Sequence, residues 1–319
     1  MVQSESCLFR RHAEGPVLTA SDWPYPINTV FNPGATSHEQ ETVLLCRVED
    51  RQGVSHLTVA RSRNGRTDWS IDPQPLIDAD PDDPASCWGA EDPRVTRLEE
   101  LGCWAITYTV YGPAGPAVAL ALTEDFRTLT PKGVILPPEN KNASLFPRRV
   151  DGDFVLLHRP VSAASDTADI WLSRSSSLDS WTIAEPVLRS RRGPAWDAVR
   201  IGAGPPPIAT SRGWLLVYHG VKAGAGTQVY RAGLALLDLE RPERVLRRST
   251  QWVLSPSTRY ERQGDVPNVV FPTGMVHRLD TGDLDLYYGA ADTSIGLATA
   301  KLDEVLDFLW DCEPVDNGL

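Results

Sequence analysis

The residues best suited to chemistry lie in the stretch WGAEDPRV, Trp88 to Val95, where two adjacent carboxylates, Glu91 and Asp92, precede Pro93 and Arg94. Proline removes a backbone donor and pushes the residue before it toward extended geometry, so the Asp92 carboxyl should leave the chain in a restricted direction. A carboxyl aimed in this way suits general acid catalysis. The same residue types also make an ordinary solvated loop, so the segment acquires meaning only from the elements that position it.

Those elements are mostly strands. Two sets of β-type segments recur along the chain at intervals of about 50–65 residues, a period of the kind that marks repeat architectures. One set is HLTVARS from His56, AVALALT from Ala117, ADIWLSR from Ala168, RAGLALLD from Arg231 and SIGLATAK from Ser294. A second set precedes each of these: TVLLCRVED from Thr42, CWAITYTVYG from Cys103, FVLLHRP from Phe154, GWLLVYHGV from Gly213 and LDLYYGAADT from Leu284. Five copies of a hairpin unit predict an all-β, five-bladed β-propeller spanning residues 1–319 as a single domain. A β-sandwich with long loops would not give such even spacing. A helical period is confined to Leu302–Trp310.

Taken as the channel-lining strands, the second set directs Arg47 and Glu49, Tyr108, His158 and Arg159, Tyr218 and His219, and Tyr288 and Asp292 toward one axis. On this frame WGAEDPRV enters the second blade just before its inner strand. Convergence of polar groups from several blades is what a binding or catalytic site requires.

Composition narrows the chemistry further. The formal net charge of −11 opposes a nucleic-acid or anionic-membrane surface and leaves a small polar substrate open. The amino terminus lacks the apolar run of a secretory signal, and no later run approaches a membrane span, so a cytoplasmic location is expected. The five cysteines (Cys7, Cys46, Cys87, Cys103, Cys312) have no metal-ligand spacing and read as reduced thiols, with Cys46 and Cys103 in the core. The glycine runs at Gly202 and around Gly224 lack the features of a phosphate loop or dinucleotide site and read as turns.

The segments FNPGA from Phe31, LLCRVED from Leu44, GAEDPRV from Gly89, NKNASLFP from Asn140, LLHRP from Leu156, VRIGAGPPPI from Val199, GWLLVYHGV from Gly213, YRAGLALLD from Tyr230, VPNVVFPTG from Val266 and YYGAADTSI from Tyr287 occur in an order that resembles glycoside hydrolase family 130. These are the β-mannoside phosphorylases and related β-mannosidases, which are five-bladed propellers. The resemblance implies that Asp92 is the general acid, passing its proton through the 3-hydroxyl of the mannosyl unit. It implies that Asn32, Arg47 and Asp292 hold mannose hydroxyls, with Glu49 and Glu91 as network partners. The family's phosphate-binding positions fall on Lys141, Arg159, Arg200, His219 and Tyr230, and each is a competent donor to a dianion.

The resemblance therefore implies inverting phosphorolysis of a β-mannosyl di- or oligosaccharide by inorganic phosphate to α-D-mannose 1-phosphate, with no metal or organic cofactor. The alternatives are an inverting β-mannosidase using water, or a non-catalytic carbohydrate-binding propeller. Linkage, leaving sugar and homo-oligomerisation stay open. Trp88, Trp104, Trp196 and Tyr111 are either sugar-stacking or core residues, and Asp197 and Asp265 read as loop residues.

Overall fold

The computed structural model describes residues 8–161, 168–224 and 226–315; Cys7, Ala225 and the last four residues lie outside them. The strands form five antiparallel sheets in sequence order. Blade 1 comprises Thr29–His38, Glu41–Glu49, Ser55–Ser62 and Ser70–Ile71. Blade 2 comprises Ala90–Leu98, Cys103–Gly112, Gly115–Thr123 and Thr130–Leu136, and blade 3 Asn140–Leu145, Phe154–Pro160, Ile170–Ser175 and Thr182–Leu188. Blade 4 comprises Arg200–Ala203, Gly213–Ala223, Gln228–Leu237 and Val245–Arg248, with Ile208–Thr210 also paired to its second strand. Blade 5 comprises Val270–Arg278, Asp283–Ala290 and Ser294–Lys301, completed by Arg10–Arg11 from the amino-terminal end.

The last pairing closes the ring, and Arg11 locks it. Its Nε donates to Glu261 Oε1 at 2.7 Å, where Glu261 is fully buried. Alternation along each strand gives both faces of a blade apolar residues, and these pack against the neighbouring blade. Among the described residues each blade junction holds one such cluster: for example Val43, Leu45 and Leu57 of blade 1 with Val95 and Ile106 of blade 2, and Leu44, Val48 and Ala60 with Tyr287 and Leu297 of blade 5. Cys46 and Cys103 are buried, as expected. The helix Leu302–Trp310 forms and seats Val305, Leu306 and Leu309 against the junction of blades 4 and 5. Among the described residues no helix is long and apolar enough to cross a membrane.

The blades contain both sets of recurring segments, but the axial strand is a different one. The strands that meet around the axis are the first of each blade, and the second set lies one strand outward. WGAEDPRV therefore does not precede the inner strand of blade 2; from Ala90 onward it is that strand. Three inner strands share a distortion that hid them. Opposite Cys46, Tyr108 and His158 the register slips, so that Asn32–Pro33, Asp92–Pro93 and Asn142–Ala143 each place two residues against one. Such a bulge bends the strand and re-aims a side chain. Asn32, Asp92 and Asn142 are left-handed, at φ 43°, 49° and 56°. Asp92 is thus not extended: the bulge overrides the preference that Pro93 imposes, and Asn and Asp tolerate the left-handed region better than other side chains. Gly202 is likewise not in a turn but within the inner strand of blade 4.

Candidate active site

The three bulged residues open onto one cavity of about 590 Å³ at the axis. Asn32, Arg47, Asp92, Lys141, Arg159, Arg200, His219, Tyr230 and Asp292 all line it, so every site residue expected from the sequence reaches the same space.

One half is acidic and organised around Arg47. Its Nη1 donates to Asp92 Oδ1 at 3.1 Å, its Nη2 to Glu91 Oε1 at 3.1 Å and its Nε to Ser55 Oγ at 3.0 Å. Glu49 Oε2 stands 3.8 Å from the same Nη2. Asn32 Nδ2 donates to Asp92 Oδ1 at 2.8 Å. Both side-chain hydrogen bonds to Asp92 land on Oδ1, which leaves Oδ2 as the oxygen available to a ligand. Beneath it the fully buried Arg94 fixes the backbone: Nη1 donates to the Asp92 carbonyl at 2.6 Å, and Nε and Nη2 reach the Gly204 and Ala203 carbonyls of blade 4 at 3.2 and 3.1 Å. Arg94 thereby ties two inner strands together across the axis.

The carboxyls in this half do not share one charge state. For Asp92 burial, the largest influence, favours the neutral acid, but Arg47, Arg94, the Asn32 amide and Lys141 together outweigh it and hold the carboxyl below its ordinary range. For Glu91 burial prevails over Arg47, reinforced by Asp92, and the carboxyl is raised. Asp292 is pushed up to about 7, first by burial and then by the negative charges of Asp92, Glu49 and Glu91 against the single Arg47.

The other half is cationic. Lys141 and Arg159 are direct cross-strand partners in blade 3, so their side chains leave the same face of the sheet. Like charges so placed are destabilising unless something between them is negative. In blade 4, Arg200, Val221 and Tyr230 form one row across three strands, with His219 two residues along the same face; the Arg200 guanidinium donates to the Tyr230 hydroxyl and to Gln228. Arg159 Nη1 lies 3.3 Å from His219 Nε2. With the guanidinium as donor, Nε2 accepts and the imidazole proton resides on Nδ1. Burial, then Arg159, Arg94, Arg200 and Lys141, hold His219 well below its usual range and therefore neutral. Burial and then Arg200 bring Arg159 down to about 10.

Several buried groups here have no partner within the protein: Arg159 Nε, His219 Nδ1, both amide atoms of Asn142 and Asn32 Oδ1. A buried polar group left unpaired costs about 1–3 kcal/mol, and this many around one cavity mark a site shaped for a polar ligand. Gly202 makes the arrangement possible, since a Cβ there would lie 2.3 Å from the His219 ring and 2.5 Å from Asn142 Nδ2.

Not every polar group of the second strands reaches the cavity. His158 and Arg159 are adjacent, so one faces away: His158 is buried between Asn140 Oδ1 at 3.0 Å and Ser173 Oγ at 2.9 Å. Tyr218 likewise turns outward, donating to Asp197 Oδ2 at 2.9 Å, and Tyr288 to Glu261 Oε1 at 2.8 Å. Asp197 is more than a loop residue; it is fully buried and also accepts from Arg248 at 2.7 Å. Asp265 is an exposed loop residue that accepts from Asn28 at 3.0 Å. Trp104 and Trp196 are core residues, whereas Trp88 and Tyr111 are exposed. Asn142 and Phe271, whose ring lies 4.4 Å from that of His219, complete the cavity and were not singled out from the sequence as site residues.

Comparison with known proteins bears on this geometry. The family profile described as beta-1,4-mannooligosaccharide phosphorylase matches residues 10–311. A beta-1,4-mannooligosaccharide phosphorylase of Ruminococcus albus is 33% identical across 94% of this chain and 90% of its own. The solved beta-1,2-mannobiose phosphorylase of Listeria innocua, in complex with beta-1,2-mannobiose, superposes with a TM-score of 0.86 at 28% identity, covering 95% of this chain and 99% of the other. A further structure, at TM-score 0.82 and 25% identity over 97% and 96% of the two chains, comes from work reporting that these phosphorylases share a family with hydrolases targeting beta-1,2 mannosidic linkages in Candida mannan.

Proposed function

Because the chain belongs to glycoside hydrolase family 130, we propose that it is an inverting β-mannoside phosphorylase, converting a β-mannosyl oligosaccharide and inorganic phosphate to α-D-mannose 1-phosphate and a shortened saccharide. The observation that carries this reading is the cationic half of the cavity. Lys141 and Arg159 share one face, neither forms an ion pair with a carboxylate among the described residues, and Arg159 and His219, which line the same cavity, each retain a buried ring or guanidinium nitrogen with no partner. A phosphate dianion relieves the repulsion and satisfies the donors.

The division of the cavity follows the reaction. Glycoside cleavage passes through an oxocarbenium-like transition state that needs a proton for the leaving oxygen on one face of the ring and a nucleophile on the other. Asn32, Arg47 and Asp292 hold the mannosyl hydroxyls beside Asp92, whose Oδ2 gives up its proton through the 3-hydroxyl. A phosphate oxygen held by Lys141, Arg159, Arg200, His219 and Tyr230 forms the new bond to C1 as the bond to the leaving oxygen breaks. Attack from the opposite face inverts the anomer.

Incubation with β-1,2- and β-1,4-mannosyl disaccharides, with and without phosphate, tests the proposal. Proton NMR should show α-mannose 1-phosphate as the first product, and only with phosphate. Free mannose formed at equal rates in both conditions overturns it. One observation keeps hydrolysis as the second reading: Glu139, exposed two residues before Lys141, is a further carboxylate lining the same cavity, the residue type that activates a water. Glu139→Gln separates the two, because phosphorolysis tolerates the change and hydrolysis does not.

A further inference from the structure

Four large aromatic side chains stand exposed on tryptophan or tyrosine: Trp88, Tyr111, Trp252 and Trp310 are 48, 39, 47 and 50% accessible. Two of these have a face already occupied. Arg231 stacks over Trp252 at 4.4 Å, and Arg247 and Arg212 over Trp310 at 4.7 and 5.8 Å. Trp88 and Tyr111 have no such cover among the described residues and touch each other, ring centroids 5.4 Å apart at 58°.

Their position is fixed by backbone. Trp88 N–H donates to the Tyr111 carbonyl at 2.9 Å and Tyr111 N–H to the Gly89 carbonyl at 3.0 Å, so the pair extends the edge of blade 2 immediately before the strand that carries Glu91 and Asp92. Tyr111 is the direct cross-strand partner of Pro116. Side chains of such partners leave the same face of a sheet, and Pro116 lines the cavity. The aromatic pair therefore continues outward from the part of the cavity wall that Pro116 contributes, in the blade whose inner strand carries Asp92. The segment leading into it, DADPDDPASCW from Asp78, is rich in carboxylates and without a cation. An anion is repelled there. A neutral ring with apolar C–H faces and hydroxyl edges is matched by broad aromatic faces with polar surroundings.

We propose that Trp88 and Tyr111 form a platform for a pyranose ring of the leaving chain, beyond the sugar at the scissile bond, and so select oligosaccharides over disaccharides. This rests on the mannoside-cleaving reading above, but not on the identity of the nucleophile.

The test compares kcat/KM for di-, tri- and tetrasaccharides of whichever β-mannosyl linkage the wild-type protein cleaves, following loss of the glycan with and without phosphate. Trp88→Ala and Tyr111→Ser should leave the disaccharide value within about two-fold and lower the tri- and tetrasaccharide values about five-fold, the scale of one aromatic contact. Trp88→Phe should recover most of the loss. The disaccharide value also reports that the variants fold. An equal loss at every chain length, or no loss on the longer ones, overturns the platform. Phosphate-independent cleavage that keeps the chain-length effect would overturn the phosphorylase reading and leave the platform in place.

Discussion

Replacing Arg159 by Met keeps the apolar stem and removes the guanidinium that faces Lys141 across the strand pair. In the wild-type cavity Arg159 Nη1 is engaged with His219, while Nε is buried and unpaired. The fork thus retains donors for a dianion. Hydrogen bonds to charged groups are worth about 1.5–3 kcal/mol, so losing this contact should raise the phosphate KM about a hundred-fold, with the mannoside KM within about two-fold. The empty protein should respond in the opposite direction. Arg159 is nearly inaccessible to solvent, burial lowers its pKa to about 10, and its cross-strand neighbour is another cation. A buried charge that faces another cation carries both a desolvation and a repulsion cost, so its replacement by an apolar side chain should be neutral or stabilising. Initial rates across a grid of phosphate and mannoside concentrations give the two KM values, and thermal melts without phosphate give the stability. The reasoning fails if both KM values rise together, or if the phosphate-free variant melts well below the wild type; either outcome makes Arg159 a structural residue.

Asp92→Asn keeps the hydrogen bonds around Oδ1 in number but removes the proton, and turnover of an unactivated mannoside should fall about 10²–10⁴-fold; near-wild-type turnover would remove Asp92 from the mechanism. The alkaline limb of mannoside turnover should move to higher pH as phosphate rises to saturation, since the dianion offsets Lys141, one of the cations holding the Asp92 carboxyl down; a stationary limb refutes the coupling. His158 is held neutral by burial, at about 4 against an unfolded value near 6.5. The unfolded chain binds the extra proton between those values, so the contribution is complete above pH 6.5 and is lost as pH falls, by about 2.5 kcal/mol at pH 4.5. Urea unfolding of His158→Asn should accordingly show a smaller loss between pH 7 and 4.5 than the wild type, and an equal loss refutes the assignment.

Sequence reasoning recovered the blades because the second and third strands of each are continuous β-type runs; it brought Arg47, Arg159 and His219 to the axis but sent their neighbours His158 and Tyr218 there too, which alternation along a strand forbids. It misplaced the axis because the inner strands contain what normally ends a strand: Asn32–Pro33–Gly34, Asp92–Pro93 and the proline run after Gly204. A signal was present in their comparison. Phe31-Asn32-Pro33-Gly34, Glu91-Asp92-Pro93-Arg94 and Lys141-Asn142-Ala143-Ser144 stand at the same point of three successive blades, and the middle Asn or Asp is what a left-handed bulge favours. Aligning them would have brought Asn142 into the site. Arg94 and Phe271 carried no such mark; two of the three carbonyls that hold the buried Arg94 belong to a blade more than a hundred residues away, a contact set only by the tertiary fold.

The charge state of Asp92 links the two halves of the cavity. A general acid must enter the reaction protonated, yet against the opposing effect of burial Arg47, Arg94 and Lys141 hold this carboxyl below its ordinary range. The cations that make the site receptive to a dianion and the one that orients the acid therefore oppose the proton the acid must carry. Phosphate bound as proposed would offset that opposition. Lys141 is sensitive to Glu91 and Asp92 on one side and to Arg159 on the other, so a dianion bound on the Arg159 side draws on the same charge that keeps Asp92 ionised. Linkage is reciprocal: if phosphate raises the affinity of Asp92 for a proton, protonated Asp92 raises the affinity of the cavity for phosphate. The proton and the nucleophile then arrive cooperatively. On the proposed mechanism, cleavage then depends on phosphate being bound before Asp92 can act as an acid.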